Sequence, residues 1–299
     1  MIPMMSSMSR RFASSMLGSY AKVLCLLLGV TAFSADGQIN RRGSSKELGL
    51  QLGTMWYTGD LNPGNVLRGR FHVSQGGFFR HNINSRFAWR AQFMKGTIEA
   101  HDADHPNAWQ QERNLMVINE VMEYSVMAEL NYRDYVVGVP RRRLMPFMMA
   151  GVAVFTHDPS ALDDFGNPVP LQPLSTEGQG FMEGADPYLL GGVAIPYGIG
   201  LKGTLGEAMS FQMEFGARKL WTDYLDDVST VYVDPSLLRG ERGQTAVDYA
   251  DPSDAGLGGV NSDRAGLQRG DPGRNDRYGY FLVSLGFRVS KKPTTCWEQ

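Results

Sequence analysis

The sequence predicts an all-β fold: a single up-and-down antiparallel transmembrane β-barrel of about eight strands in an outer membrane. Three observations carry this. Between Glu47 and Ser290, segments of about ten residues alternate apolar and polar side chains with a period of two. The links between them alternate in length, short near Ile83–Ser85, Arg133–Arg143 and Gly203–Glu207, and long near Thr58–Arg70, His101–Arg113, Asp158–Asp186 and Thr222–Arg277. An export signal precedes the array. A closed barrel with tight periplasmic turns at one end and long outward loops at the other accounts for all three.

The signal comes first along the chain. Arg10, Arg11 and Lys22 precede the apolar stretch Val23–Phe33, and small and polar residues follow. This predicts a signal peptide over residues 1–37, with cleavage after Ala35-Asp36-Gly37 and a mature start at Gln38. The run is too short to span a bilayer as a helix. Cys25 lies inside it behind Lys22-Val23-Leu24, where a lipid-attachment signal would place small residues, so it is read as removed with the signal. Residues 38–46 are read as a periplasmic linker, 47–290 as the barrel and 291–299 as a periplasmic tail. An even number of strands puts both termini in the periplasm.

Composition agrees with an integral barrel. Hydrophobic residues make up 42% of the chain and no apolar run is long enough for a membrane helix, as expected where only alternate strand residues face lipid. A net charge of -2 gives no footprint for nucleic acid. Aromatic content of 11% argues against an extended disordered chain, and the 35 glycines suit tight turns and close interior packing.

The third strand sets Phe87, Trp89, Ala91 and Phe93 against Arg90 and Gln92. In the fourth, Met122, Tyr124, Val126, Ala128, Leu130 and Tyr132 oppose Glu123, Ser125, Met127, Glu129 and Asn131. In the seventh, Phe211, Met213, Phe215, Ala217 and Trp221 oppose Ser210, Gln212, Glu214, Gly216 and Arg218. The eighth sets Phe281, Val283, Leu285, Phe287 and Val289 against Ser284, Gly286 and Arg288. In a membrane barrel the apolar set faces lipid and the polar set faces inward. The interior of so small a barrel is filled by its own side chains. Arg90, Glu123, Glu129, Glu214, Arg218 and Arg288 are therefore predicted to form a mutually neutralising lumen network, since unpaired buried charge is costly. Trp56, Tyr57, Tyr132, Tyr188, Trp221, Tyr224, Tyr278 and Tyr280 fall near strand ends and are read as interface girdles. Pro146 and Pro196 each remove a ladder donor, which predicts a bulge or strand end nearby. Glycine and proline blur the registers of strands two, five and six.

No catalytic, cofactor or metal site emerges. The His101–His105 run lacks a second ligand pair at a zinc spacing. The acidic last loop carries no calcium-loop spacing. Ser, His and Asp are present without a nucleophile motif. The Gly191-Gly192 and Gly198–Gly200 segments lie within a strand, outside the strand–loop–helix context of a phosphate site. The chain is read as a non-enzyme with no cofactor and no small-molecule substrate.

Four segments are more specific: Tyr57–Pro63 (YTGDLNP), Leu171–Gly180 (LQPLSTEGQG), Thr222–Thr230 (TDYLDDVST) and Arg269–Pro272 (RGDP). With the strand layout they resemble the PorG-type outer-membrane barrel of the type IX secretion system, over roughly Lys46 to Trp297. That resemblance implies a non-enzymatic component associated with a periplasmic ring formed by a lipoprotein and its partner, in a machine that exports proteins and is linked to gliding motility. The chain departs from a typical barrel in continuing through Ser290–Gln299 beyond its last strand.

The topology assigns these features to sides. Cys296, an odd cysteine once Cys25 is removed, is expected in the periplasm with Trp297 and the basic turn Arg141, Arg142 and Arg143. This is the predicted partner-binding face, with a disulfide through Cys296 to another protein as one option. The motif segments lie mainly at the opposite end, where Asp60, Glu177, Asp223, Asp226 and Asp227 are predicted to order the long loops against each other. Contact with another translocon component and calcium binding stay open there. The alternative functions are a stand-alone structural barrel or adhesin, and a barrel-wall hydrolase.

Overall fold

The computed structural model describes residues 44–63, 70–139, 144–253 and 264–290. The predicted signal peptide, Arg141–Arg143, Cys296 and Trp297 lie outside them. Eight strands form a closed antiparallel barrel: β1 (Ser45–Thr58), β2 (His72–Asn82), β3 (Phe87–His101), β4 (Met116–Asn131), β5 (Met145–Leu162), β7 (Gly191–Leu205), β8 (Met209–Lys219) and β9 (Arg277–Arg288). Each pairs with its neighbours in the chain, and β9 pairs with β1 to close the ring. A ninth, short strand, β6 (Pro168–Pro170), pairs with the end of β5 beyond the barrel.

Period-two patterning produces a wall with two chemistries. Leu50, Tyr124, Ile199 and Phe215 point outward and are exposed, while Glu123, Glu129, Gln212 and Arg218 on the alternate positions are buried inside. This is the arrangement of a membrane-spanning barrel, with apolar side chains outside and polar ones within. The barrel strands run from 11 to 18 residues, at or above the roughly 9–11 needed to cross a bilayer. The longest therefore continue into the loop end as scaffold.

The registers left unsettled by the sequence are now defined. β2 turns Ser74, Phe78, Arg80 and Asn82 inward, and β7 turns Ala194 and Lys202 inward. The inward Gly198 and Gly200 make room for side chains from the paired strand β5. A Cβ at Gly198 would come within 2.8 Å of the Met149 side chain, and one at Gly200 within 2.5 Å of the Phe147 ring. Pro196 does not create a bulge. The β5–β7 ladder skips two pairs beside it and resumes in the same register, from Ala150↔Tyr197 to Ala153↔Ala194. The missing donor thus costs local ladder bonds and leaves the alternation intact.

The aromatic girdle is corrected in part. Tyr132 and Trp221 are exposed and Trp56 stacks on the outward Phe215 with centroids 5.1 Å apart, but Tyr57, Tyr278 and Tyr280 are buried within the barrel. Tyr188 and Tyr224 stack on each other among the loops at 4.6 Å. The physical reason is parity: Tyr278 and Tyr280 share the phase of the inward Ser284.

At the turn end, the β4–β5 connection folds back on the barrel. Tyr135 and Val137 are buried against Met145, the Tyr135 amide donates to the Ser85 carbonyl at 2.8 Å, and Arg288 donates to the Val137 carbonyl at 3.0 Å. β1 begins and β9 ends at this same end, where the Val289 amide donates to the Lys46 carbonyl at 2.8 Å.

Candidate functional site

Two buried polar regions occupy the barrel. The first is the lumen network, nearer the turn end. Glu129 sits between three cations: Arg80 at 3.0 Å, Arg90 at 3.2 Å and Lys202 at 2.7 Å. Arg80 and Arg90 are directly opposed across β2 and β3, a like-charge pairing that is unfavourable unless a carboxylate lies between them. Glu214 accepts from Arg90 at 2.6 Å. Glu47 faces Arg80 at 3.5 Å and also accepts from Ser210, and from Asn82 at 2.6 Å. Nearer the loop end, Arg218 forks onto Glu123 at 2.5 and 2.7 Å, and Tyr278 donates to the same carboxylate at 2.6 Å.

Arg80, Arg90, Lys202 and Arg218 are thus matched by Glu47, Glu123, Glu129 and Glu214, all essentially inaccessible to solvent. The rings of Phe78, Phe147 and Tyr280 lie beside the cations, with Arg218 4.4 Å from the Tyr280 centroid. Arg90, Glu123, Glu129, Glu214 and Arg218 take part in this network, whereas Arg288 sits at its turn-end margin on the Val137 carbonyl. Sequence reading missed Glu47, Arg80 and Lys202, because their strands carried blurred patterns or began the array.

The second region is a cap that the long loops build over the opposite end. The β3–β4 loop carries helix α1 (Ala108–Arg113), and the β8–β9 loop carries helices α2 (Pro235–Arg242) and α3 (Gln244–Ala250). Arg113 forks onto the buried Asp102 at 2.6 and 2.7 Å, while its other contacts reach the carbonyls of Arg269 at 2.6 Å and Asp60 at 3.2 Å. One guanidinium therefore ties three loops. Glu177 accepts from the Ser229 and Thr230 amides at 2.9 and 3.0 Å, from the Thr230 hydroxyl at 2.7 Å and from Arg269 at 2.9 Å. Asp227, in the left-handed region at φ 63°, a conformation Asp tolerates better than most residues, accepts from Thr176 and Tyr188 at 2.5 Å each. Asp60 accepts from the Asp271 amide at 2.7 Å.

The Tyr57 hydroxyl lies between two carboxyl groups, bonding Asp226 and, at 2.8 Å, Asp276. A phenol has one proton to donate. Both contacts are made only if one carboxyl of the pair is itself protonated. Burial pushes both Asp226 and Asp276 well above the usual carboxylate range, aided by Asp60 near the first and by Asp226 near the second. Burial also raises Asp227 to about 6, against the opposing pull of Arg269, and Asp223 to about 7, against that of the Ser229 hydroxyl. The four sequence motifs meet here, bringing Asp60, Glu177, Asp223, Asp226 and Asp227 into one layer. Sequence reading did not select Tyr57, Arg113, Tyr188, Arg269 or Asp276 for this layer. Arg269 was visible only as part of a short, otherwise unspecific motif.

The histidines have structural partners. His101 reaches Glu99 at 2.6 Å, and His157 contacts Asn119 and the Leu189 carbonyl at 3.2 Å each. His72 also bonds Glu99, which Arg70 approaches at 3.0 Å. Among the described residues, no group of three or more His, Cys, Asp or Glu side chains is placed to hold a metal ion.

Residues 21–167 match a family model described as a domain of unknown function, DUF6089. No curated protein matches the chain. Among solved structures, the chain is similar to Ail, the attachment invasion locus protein of Yersinia pestis, at 8% identity and TM-score 0.38, over 82% of this chain and 99% of that one. Neisserial surface protein A is similar at 6% identity and TM-score 0.41, over 83% and 100%. The outer membrane protein OprG of Pseudomonas aeruginosa is similar at 8% identity and TM-score 0.37, over 85% and 100%. With its own apolar outer wall, polar filled interior and closed strand ring, this chain is an integral outer-membrane barrel.

Proposed function

We propose that this protein is a non-enzymatic anchoring subunit of a type IX, gliding-linked secretion machine, coupling the periplasmic ring to the outer membrane. The observation that carries the reading is the filled lumen. Among the described residues, six buried cation–carboxylate contacts cross the space through which a pore would conduct, and a folded cap covers the loop end. Such a barrel serves as a fixed membrane post. The motif residues that carry the family resemblance hold the cap together, which fits a scaffold better than a reaction site.

The turn end is the proposed ring-facing side. Both barrel termini leave there, so the tail bearing Cys296 and Trp297 and the basic Arg141–Arg143 turn belong to the same face in this reading. Crosslinking of membranes followed by affinity purification of the tagged barrel tests it. Recovery of the ring lipoprotein and its partner is expected, and their absence would sink the proposal. Non-reducing gels of wild type and Cys296→Ser test the covalent link separately; unchanged migration would exclude the disulfide. The second reading is a stand-alone structural barrel or adhesin. It is favoured by Phe165, 91% exposed at the tip of the β5–β6 turn, and it requires normal cargo secretion when the gene is deleted.

A further inference from the structure

An open cleft of about 510 Å³ lies in the cap, within the range of ligand-binding sites. Its walls come from the β3–β4 loop at Asn114–Met116, the end of β5 with the β5–β6 turn, and α3. Leu115, Met116, Leu162, Leu171, Val228 and Tyr249 make its apolar lining. Asp163 and Asp164 on one side and Asp248 on the other supply acid at its rim, and their combined charge helps to raise the Tyr249 phenol between them, after burial as the leading cause.

No ion pair neutralises these three carboxylates among the described residues. Asp163 accepts from the Phe165 and Asn167 amides at 2.9 and 2.7 Å and from the Asn167 side chain at 3.0 Å, and Asp248 accepts from Gln244 at 2.7 Å. These are uncharged donors. Arg269, which borders the cleft, is already held by Glu177 at 2.9 Å, and His101 bonds Glu99 at 2.6 Å. The cleft therefore combines an apolar bed with an unneutralised negative rim. The Asp163 turn also holds the backbone of the β5–β6 tip, which places the exposed Phe165 at the cleft mouth.

We propose that this cleft binds a basic, partly apolar peptide segment of a partner protein, with aliphatic side chains on the bed and lysine or arginine at the Asp163, Asp164 and Asp248 rim. Charge complementarity selects the cationic class, and the apolar bed distinguishes a peptide from a simple polyamine. The site is on the loop end, so the proposal holds whether the turn end meets a secretion ring or nothing.

The test uses the full-length protein in nanodiscs of zwitterionic lipid and a fluorescein-labelled hexapeptide of alternating lysine and leucine. Saturable anisotropy is expected beyond that given by empty discs, falling as salt screens the rim. The Asp163→Asn/Asp164→Asn/Asp248→Asn variant, in which the side-chain oxygen at 163 still accepts from the Phe165 and Asn167 amides, should weaken binding by about tenfold or more. Its heat-modifiable gel migration, matching wild type, verifies the fold. A lysine–serine hexapeptide should bind more weakly, as should a glutamate–leucine one. Binding no greater than to empty discs, unchanged binding by the triple variant, or equal binding of the lysine–serine peptide would overturn the proposal.

Discussion

The lumen and the loop cap both bury ionised side chains, but they balance them differently. In the lumen, Arg80, Arg90, Lys202 and Arg218 meet Glu47, Glu123, Glu129 and Glu214, one cation for each carboxylate. In the cap, Asp102, Glu177, Asp223, Asp226, Asp227, Asp251 and Asp276 are buried, with Arg113 and Arg269 as the buried cations among the described residues. The excess is handled by backbone amides, hydroxyls and retained protons. A balanced network is rigid over the pH range in which its members stay charged. An acid-rich one depends on how many protons it carries. The same molecule thus has a charge-balanced post and an acid-rich, pH-responsive cover.

Removing charge from the balanced side should have the largest effect. Glu129→Gln leaves Arg80, Arg90 and Lys202 without their shared carboxylate, and losing one partner of a buried pair costs about 3–5 kcal/mol. Urea titration followed by heat-modifiable migration should show the barrel unfolding at a clearly lower midpoint. An unchanged midpoint would mean that the network does not hold the barrel.

A smaller, local effect is expected from Arg269→Ala. It frees Glu177 and the Asp227 carbonyl, so limited proteolysis should cut the β8–β9 loop about tenfold faster, equivalent to about 1.4 kcal/mol, while the barrel midpoint stays near wild type. Loss of barrel stability instead would merge the two regions into one cooperative unit. Asp223→Asn should act in the opposite direction and more weakly. Asp223 is buried beside the carboxylates of Asp60, Glu177 and Asp271, with the Ser229 hydroxyl opposing them, and a buried charge without a countercharge is costly. Neutralising it should slow proteolysis above neutral pH; faster proteolysis would show that its charge holds the cap.

The barrel was legible because alternation encodes which way each side chain faces. Glu123, Glu129, Glu214 and Arg218 fell inward by simple parity. The same count, extended along β9, would have turned Tyr278 and Tyr280 inward, where reading them as a girdle put them at an interface. Lys202 was obscured because β7 reads Gly-Ile-Gly-Leu-Lys, with glycines at inward positions that show no polarity. In the cap, the motif acids were visible as types, but their partners were not. Tyr57 and Asp276 are 219 residues apart in sequence, and only closure of β9 onto β1 brings them together.

Residue-resolved hydrogen exchange at about pH 5 and about pH 8, expressed as protection factors, tests the contrast most directly. Asp223 and Asp227 stand at about 7 and about 6 in the folded cap against 3.8 in the open chain. In the closed cap these two groups hold protons that the opened loop has released, so their contribution to its stability falls as pH rises from about 4 and levels off above about 7. Amides in 171–180 and 222–230 should lose protection at the higher pH while those of β4 and β8 keep it. Equal changes in both regions, or greater protection of the cap at the higher pH, would contradict the account.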